Sequence, residues 1–264
     1  MKRVMLLCCA LLVMTNVLAA EPASPAKLEN AKTVNQAFAP GEKLTYSISW
    51  STVIEAGIAV MEVRPGPMVN GRPTYSLLSN TKSVGVVDLL FPVKDTVESI
   101  VDAGELFSRS FHLHESHGKK KRQRDMTYDQ ASGTVQVVVN NGAPATYRVP
   151  NRIQDALSSL YYLRTRQDFT IGKTIVEDVH DGDKTWAVEV HVMGRERVKT
   201  PAGEFNTIKV KTYPKYEGVF MHKGEIYIWF TDDARKIPVL MKSEISIGSI
   251  VATLTNMQGG SSKP

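Results

Sequence analysis

The sequence predicts an all-β fold with one main helix. The expected form is a curved antiparallel sheet or incomplete β-barrel with the helix packed on its concave face; a two-sheet β-sandwich is the alternative. Three observations carry this reading. Short runs of alternating apolar and small polar residues recur along the chain, as in Leu44-Thr45-Tyr46-Ser47-Ile48-Ser49-Trp50. Turn-forming residues separate these runs at the spacing of all-β domains. One long helical pattern, Pro150 to Thr170, interrupts the series.

The chain has 264 residues and a formal charge of +5. It opens on Met1-Lys2-Arg3, an apolar run from Val4 to Val13, and Val17-Leu18-Ala19. That succession predicts a secretory signal peptide over 1–19, cleaved before Ala20 and too short for a convincing transmembrane span. Cys8 and Cys9, the two cysteines of the chain, lie inside it. The mature protein is therefore expected in the periplasm without disulfides, stabilised by its core. Loss of Lys2 and Arg3 lowers the charge from +5 to +3, which speaks against nucleic acid as a partner. No later run is long and apolar enough for a membrane-spanning helix.

Residues 20–40, rich in Ala, Pro, Glu, Asn and Lys, read as a disordered leader. A single β-rich domain is expected over 41–255, followed by a flexible tail over 256–264. Its strands begin with Leu44–Trp50 and Ile58–Val63, and Asn70-Gly71 turns the chain into Thr74–Thr81. Asp95–Val101 and Phe107–Glu115 form the next hairpin, and Lys120–Tyr128 and Thr134–Val139 another. Asn140-Asn141-Gly142 then turns the chain toward the helix. Beyond the helix, Trp186, Val188, Val190 and Val192 alternate with polar neighbours after a turn at Asp181-Gly182-Asp183. Ile208 and Val210, Ile226–Phe230, Pro238–Ile245 and Ser249–Thr255 complete about a dozen strands.

Within the helix, Ile153, Ala156, Leu157, Leu160 and Tyr161 recur at helical spacing and form the expected buried face. Asn151 is the expected N-cap, Ser159 falls on the opposite side, and Arg164 and Arg166 suit the dipole at the C-terminal end. Burying such side chains contributes about 1.5–3 kcal/mol each. The span expected to pack on the sheet is Ile153–Phe169.

Two stretches depart from the alternation. Val84 to Pro92 (Val-Gly-Val-Val-Asp-Leu-Leu-Phe-Pro) is either a short helix or loop plugging one end of the core, or an exposed apolar lip. Burial is the ordinary fate of such a run. Lys119-Lys120-Lys121-Arg122, with Arg124, is the densest charge of the chain. Following Gly118, it should occupy a hairpin tip and an exposed strand. It is either a solvated face or a contact for anionic lipid headgroups or polysaccharide, where each basic residue contributes about 1 kcal/mol.

Four segments stand in order over Phe38 to Thr255. They are Gly41-Glu42-Lys43-Leu44-Thr45-Tyr46 with Ala56-Gly57; Asp155-Ala156-Leu157-Ser158-Ser159-Leu160-Tyr161-Tyr162-Leu163-Arg164; Gly194-Arg195-Glu196 with Thr200-Pro201-Ala202-Gly203-Glu204-Phe205; and Ile228-Trp229-Phe230-Thr231-Asp232-Asp233 with Ile237-Pro238. In that order they resemble the bacterial exported proteins grouped as domain of unknown function 3108. The resemblance implies a β-rich cell-envelope protein of unassigned activity. The layout is also similar to the open barrels of lipoprotein carriers, a likeness of fold that says little about function.

Catalytic and metal signatures are weak. His112 and His114 share a strand face but lack a third ligand at a recognisable spacing. Asp181/Asp183 and Asp232-Asp233 fall in turns, where aspartate is favoured for its local hydrogen bonds. No Gly-x-Ser-x-Gly elbow or phosphate-cradling glycine loop occurs, and Ser158 and Ser159 lie inside the helix. The expectation is a non-enzymatic envelope protein without cofactor or metal. It would bind a lipid or an acylated partner in a β-cavity near Leu160, Tyr161, Trp186 and Trp229. The alternative is an assembly factor that recognises an envelope protein or polysaccharide without an internal ligand.

Overall fold

The computed structural model describes residues 35–215, 226–244 and 248–259. The expected signal peptide, most of the expected leader and residues 260–264 lie outside them. Fourteen strands and two helices follow one another as β1 (Lys43–Trp50), β2 (Ile54–Pro65), β3 (Thr74–Ser83), α1 (Gly85–Leu90), β4 (Val93–Asp102), β5 (Ser108–His117), β6 (Lys120–Asp129), β7 (Thr134–Val139), β8 (Ala145–Arg148), α2 (Ala156–Thr165), β9 (Thr174–Asp181), β10 (Lys184–Thr200), β11 (Gly203–Lys215), β12 (Ile226–Thr231), β13 (Pro238–Glu244) and β14 (Ser249–Gln258).

All strands belong to one antiparallel sheet. Its order is β8-β7-β6-β5-β4-β3-β2-β1-β14-β13-β12-β11-β10-β9, so every neighbour is a sequence neighbour except where β14 returns to β1. That return curls the sheet round, and β8 and β9 are left as its two edges. The result is an incomplete barrel. The chain crosses between the edges through α2, and the segment before the helix partly stitches the gap. Gln154 N–H donates to Asp178 O and Gln154 O accepts from His180 N–H on β9, while Ile153 O accepts from Ser108 N–H at the start of β5. Arg124 of β6 also reaches across to an ion pair with Asp181 of β9.

This stitching explains why α2 is shorter than its apolar pattern. The expected start at Asn151 is displaced because Arg152 takes a positive φ of 64° and Gln154 is held extended against β9. Asp155 is the N-cap instead. Its Oδ1 accepts from the N–H groups of Leu157 and Ser158, and the Ser158 hydroxyl accepts from Asp155 N–H, forming a capping box. Asp155 Oδ2 accepts from the hydroxyls of Ser99 on β4 and Ser108 on β5, at 2.5 and 2.7 Å.

The helix lies across the end of the barrel where β4 ends and β5 begins. At its far end, Arg164 meets Glu42, just before β1, and the carbonyl of Arg235 in the β12–β13 connection. Wedged in the barrel mouth, the helix leaves only Ala156 and Tyr162 partly exposed. Ser158 and Ser159 are accordingly buried along with Leu157, Leu160 and Tyr161, and the expected polar face at Ser159 does not exist. Burial on both sides also ends the leader and the tail sooner than composition suggests. Ala37 and Phe38 are core residues, with the Phe38 ring 5.0 Å from that of Tyr161, and β14 continues to Gln258.

Strand positions largely follow the alternation. Asn70 and Gly71, with φ of 51° and 73°, make the tight turn read from the dipeptide. Missed were β8 and β9, the two edge strands. In β9 the inward row is Ile175, Glu177 and Val179, and a buried glutamate breaks the apolar signal.

Candidate functional site

The two ends of the barrel differ in chemistry. Antiparallel order places the β1–β2, β3–β4 and β5–β6 connections together at the end opposite α2. Here Val84–Pro92 forms α1, a six-residue helix with no buried residue. It does not plug the core. Leu89 and Leu90 are 85% and 80% exposed, Val86 and Phe91 are exposed beside them, and Val53, in the β1–β2 turn, is 84% exposed. Ile54 follows at 43%. The helix packs along β2, tied by the Val84 N–H donating to Ala56 O. Six apolar side chains thus crown one end, whereas an ordinary surface scatters such residues singly.

The basic hairpin adjoins this crown. Gly118, at φ 59°, turns the chain between β5 and β6, and its N–H donates to Pro92 O. A Cβ at Gly118 would stand 3.8 Å from the Phe91 ring. Lys119, Lys120, Lys121 and Arg122 are exposed, as the pattern predicts. Arg124 is not part of that surface. It turns inward, is almost wholly buried and pairs with Asp181. The alternation of β6 requires this, since Arg124 lies on the same face as Met126 and Tyr128.

Strand register adds two lysines that no run of sequence displays. Lys82 of β3 pairs with Lys94 of β4, Lys94 with Ser116 of β5, and Ser116 with Lys121 of β6. Lys82, Lys94 and Lys121 are exposed. Like charges directly opposite one another destabilise a sheet, and among the described residues none of these three lysines has a carboxylate within ion-pair distance. Beneath this row an open groove of about 480 Å³ is lined by Lys94, His114, Lys121, Arg122 and the Asn140-Asn141 turn, with Glu115 at its inner side. Glu115 is paired at 3.8 Å with Arg122. Just inside, burial pushes the Asp95 carboxyl up, against the opposing pull of His117 Nε2 at 2.9 Å.

The aromatic and apolar residues expected to line a cavity, Leu160, Tyr161, Trp186 and Trp229, are all buried among the described residues. Leu160, Tyr161 and Trp186 are part of the continuous core. The Tyr161 ring is covered by Phe38 and by the Arg164 guanidinium, 5.1 Å from its centroid. Trp229 is on the other face of the sheet. Its neighbours Ile228 and Phe230 point inward, Phe230 to Phe169, while Trp229 donates its indole N–H to Glu196 and stacks under Lys209 Nζ at 4.8 Å. The described groove lies on the outer face of β4–β6, away from the helix.

Other titratable residues serve the fold. His112 bonds Asp125 and Ser110, and His117 bonds Asp95. Asp233 accepts from the N–H groups of Arg235 and Lys236, the turn role expected of it. Burial pushes the Glu177 carboxyl up to about 8 and the His180 imidazole down to about 4.

The structure resembles a beta-barrel-like protein of domain of unknown function DUF1849 from Brucella abortus. The TM-score is 0.56 at 13% identity, over 84% of this chain and 98% of that one. At that identity the likeness concerns the fold alone. Two weaker likenesses are to a candidate exported protein with a YmcC-like fold from Bacteroides fragilis, and to a candidate lipoprotein from Parabacteroides distasonis. The first has a TM-score of 0.37 and 14% identity, over 84% of this chain and all of that one; the second has 0.38 and 11%, over 86% and all. Neither bears on the function of this chain. None of the curated proteins matches. The sequence itself matches the family described as Protein of unknown function (DUF3108) over residues 45–255, most of its length, and the chain belongs to that family.

Proposed function

We propose that this is a non-enzymatic protein of the bacterial cell envelope, exported to the periplasm, that engages a hydrophobic or amphiphilic molecule at the open end of its barrel. The observation that carries the reading is the crown of Val53, Ile54, Val86, Leu89, Leu90 and Phe91. Exposed apolar surface of this kind is costly to keep in water and marks an interaction site. The signal-like N-terminus supports the compartment. The packed surroundings of Tyr161 and Trp186 favour the rim over the interior as the place of contact.

The test is uptake of a monomeric amphiphile. Fatty acid or lysolipid, added below its micelle concentration, should raise the melting temperature by mass action. Native mass spectrometry of gently purified protein should show co-purifying amphiphile. Leu89→Gln with Leu90→Gln should remove the response, and Trp186→Ala should spare it. A response lost with Trp186→Ala and kept in the double variant would move the contact back to the interior. Absence of any response would favour the reading of the crown as a surface for another envelope protein.

A further inference from the structure

We infer that the open end docks on the surface of an anionic lipid bilayer, with the apolar crown entering the acyl boundary and the lysine row meeting the headgroups. The inference deepens the amphiphile reading by naming the partner, and shares with it only the crown. Two independent features meet at one place. The crown offers side chains that gain by leaving water, and it is built from two separate connections, 51–53 and 84–92, that project from the same end. Amphipathic surfaces that lie on membranes combine such an apolar edge with flanking Lys and Arg.

The flanking charge is present here, and the row across β3–β6 is basic. Lys119 and Lys120 follow Gly118, the hairpin residue that lies against Phe91, and Lys82, Lys94 and Lys121 run across β3–β6 on the outer face. Lys82 and Lys94, directly opposite one another, repel unless an anion stands over them, and Lys121 lies one strand further along the row. Among the described residues, four acidic groups stand near the crown. Asp88 of α1 accepts from the Ser83 hydroxyl, Glu115 is buried behind Arg122, Asp95 is buried beside His117, and Glu55 is exposed on β2. The groove bounded by Lys94, His114, Lys121, Arg122 and the Asn140-Asn141 amides opens beside the row. It offers cations and amide donors to a phosphate-bearing headgroup, whose chains would run toward Phe91, three residues before Lys94.

The geometry also sets an orientation. Docking through this end leaves α2 and its buried Arg164–Glu42 pair pointing away from the bilayer. It leaves the two sheet edges, β8 and β9, roughly upright to the surface.

Flotation with vesicles tests this. The protein should be taken as recovered from its host, with all variants in the same form, so that any N-terminal apolar run contributes equally. Vesicles containing phosphatidylglycerol should bind it more tightly, by about tenfold or more, than vesicles of phosphatidylcholine alone, and binding should weaken as the ionic strength is raised about tenfold. Lys119→Glu/Lys120→Glu/Lys121→Glu should lower binding to the anionic vesicles about tenfold, and so should Leu89→Gln/Leu90→Gln, each with an unchanged circular dichroism melt. Equal binding to both vesicle types, or no loss in either variant, overturns the inference. Binding that survives in the leucine variant and is competed by a soluble anionic polysaccharide also overturns it, in favour of a polyanion site. The outcome is separate from monomer uptake. Vesicle binding without a thermal response to lysolipid would uphold docking and sink the amphiphile reading, and the reverse would sink docking alone.

Discussion

At the end of the barrel closed by α2, charge is buried and answered. Arg164 is 1% exposed, its guanidinium grips both oxygens of Glu42 at 2.7 and 2.8 Å, and its plane lies over the rings of Phe38 and Tyr161. Burial disfavours its charge, and the Glu42 carboxylate more than restores it. At the end carrying α1, Lys82, Lys94 and Lys121 are exposed with no carboxylate partner among the described residues, and apolar side chains stand in water. The first arrangement stabilises a particular packing of helix against sheet. The second contributes little to folding and some of it opposes folding. The proposed bilayer contact would supply the compensation for these facing lysines and bare leucines.

Substitutions at the two ends should therefore separate stability from binding. The largest effect is expected from Arg164→Met, which removes the bidentate partner of Glu42 and leaves it only Arg235, at 3.3 Å. Loss of one partner of a buried pair costs about 3–5 kcal/mol, read as a fall in the urea midpoint at constant slope. Adding Glu42→Gln should recover part of it, because the remaining group is then neutral. No recovery would mean that the stacking on Phe38 and Tyr161 matters more than the ion pair.

A smaller effect comes from Glu177, on the helix side of the inner wall. Burial lifts its carboxyl from 4.5 to about 8, so the folded chain keeps a proton that the unfolded chain releases above 4.5. Its contribution is therefore present at low pH and is lost as pH rises through about 8. His180 runs the other way. Burial lowers it from 6.5 to about 4, so it costs stability as pH falls below 6.5 and is neutral above. Between pH 6.5 and 8 the Glu177 contribution should fall by about 2 kcal/mol, read as the difference between wild type and a Glu177 variant. Glu177→Gln should flatten that slope. A difference equal at both pH values would show that the carboxyl is ionised in the fold.

The smallest change in stability is expected at the crown. Leu89→Gln and Leu90→Gln should each move the unfolding free energy by no more than about 0.5 kcal/mol. Leu157→Gln in α2, with the same chemistry in a buried site, should cost about 2–5 kcal/mol. Comparable shifts at the two sites would erase the distinction between the ends.

Sequence patterning was most legible where one physical cause dominates. Period-two alternation located β1 and β4–β7, because each has one face largely on the core and the other more exposed. The hairpin position of Lys119–Arg122 followed from Gly118 and the alternation on either side. The pattern failed where two causes overlap. In β9 a buried glutamate interrupts the apolar row, and in α2 burial of all but Ala156 and Tyr162 removes the amphipathic contrast that would have oriented the helix.

By itself the sequence determined the fold class, the order of most strands, the existence of one core helix and the position of the basic run. These depend on local spacing and turn chemistry, which a chain carries in its residue order. Only the tertiary structure decided that Val84–Phe91 is exposed, that Val53 joins it, and that Lys82 and Lys94 extend the basic hairpin into a row. It also turned Arg124 inward, put Trp229 on the outer face and moved the helix cap to Asp155. Each of those outcomes depends on strand register and on which end of the barrel a connection occupies. Register is a relation between distant segments, and no window of sequence contains it.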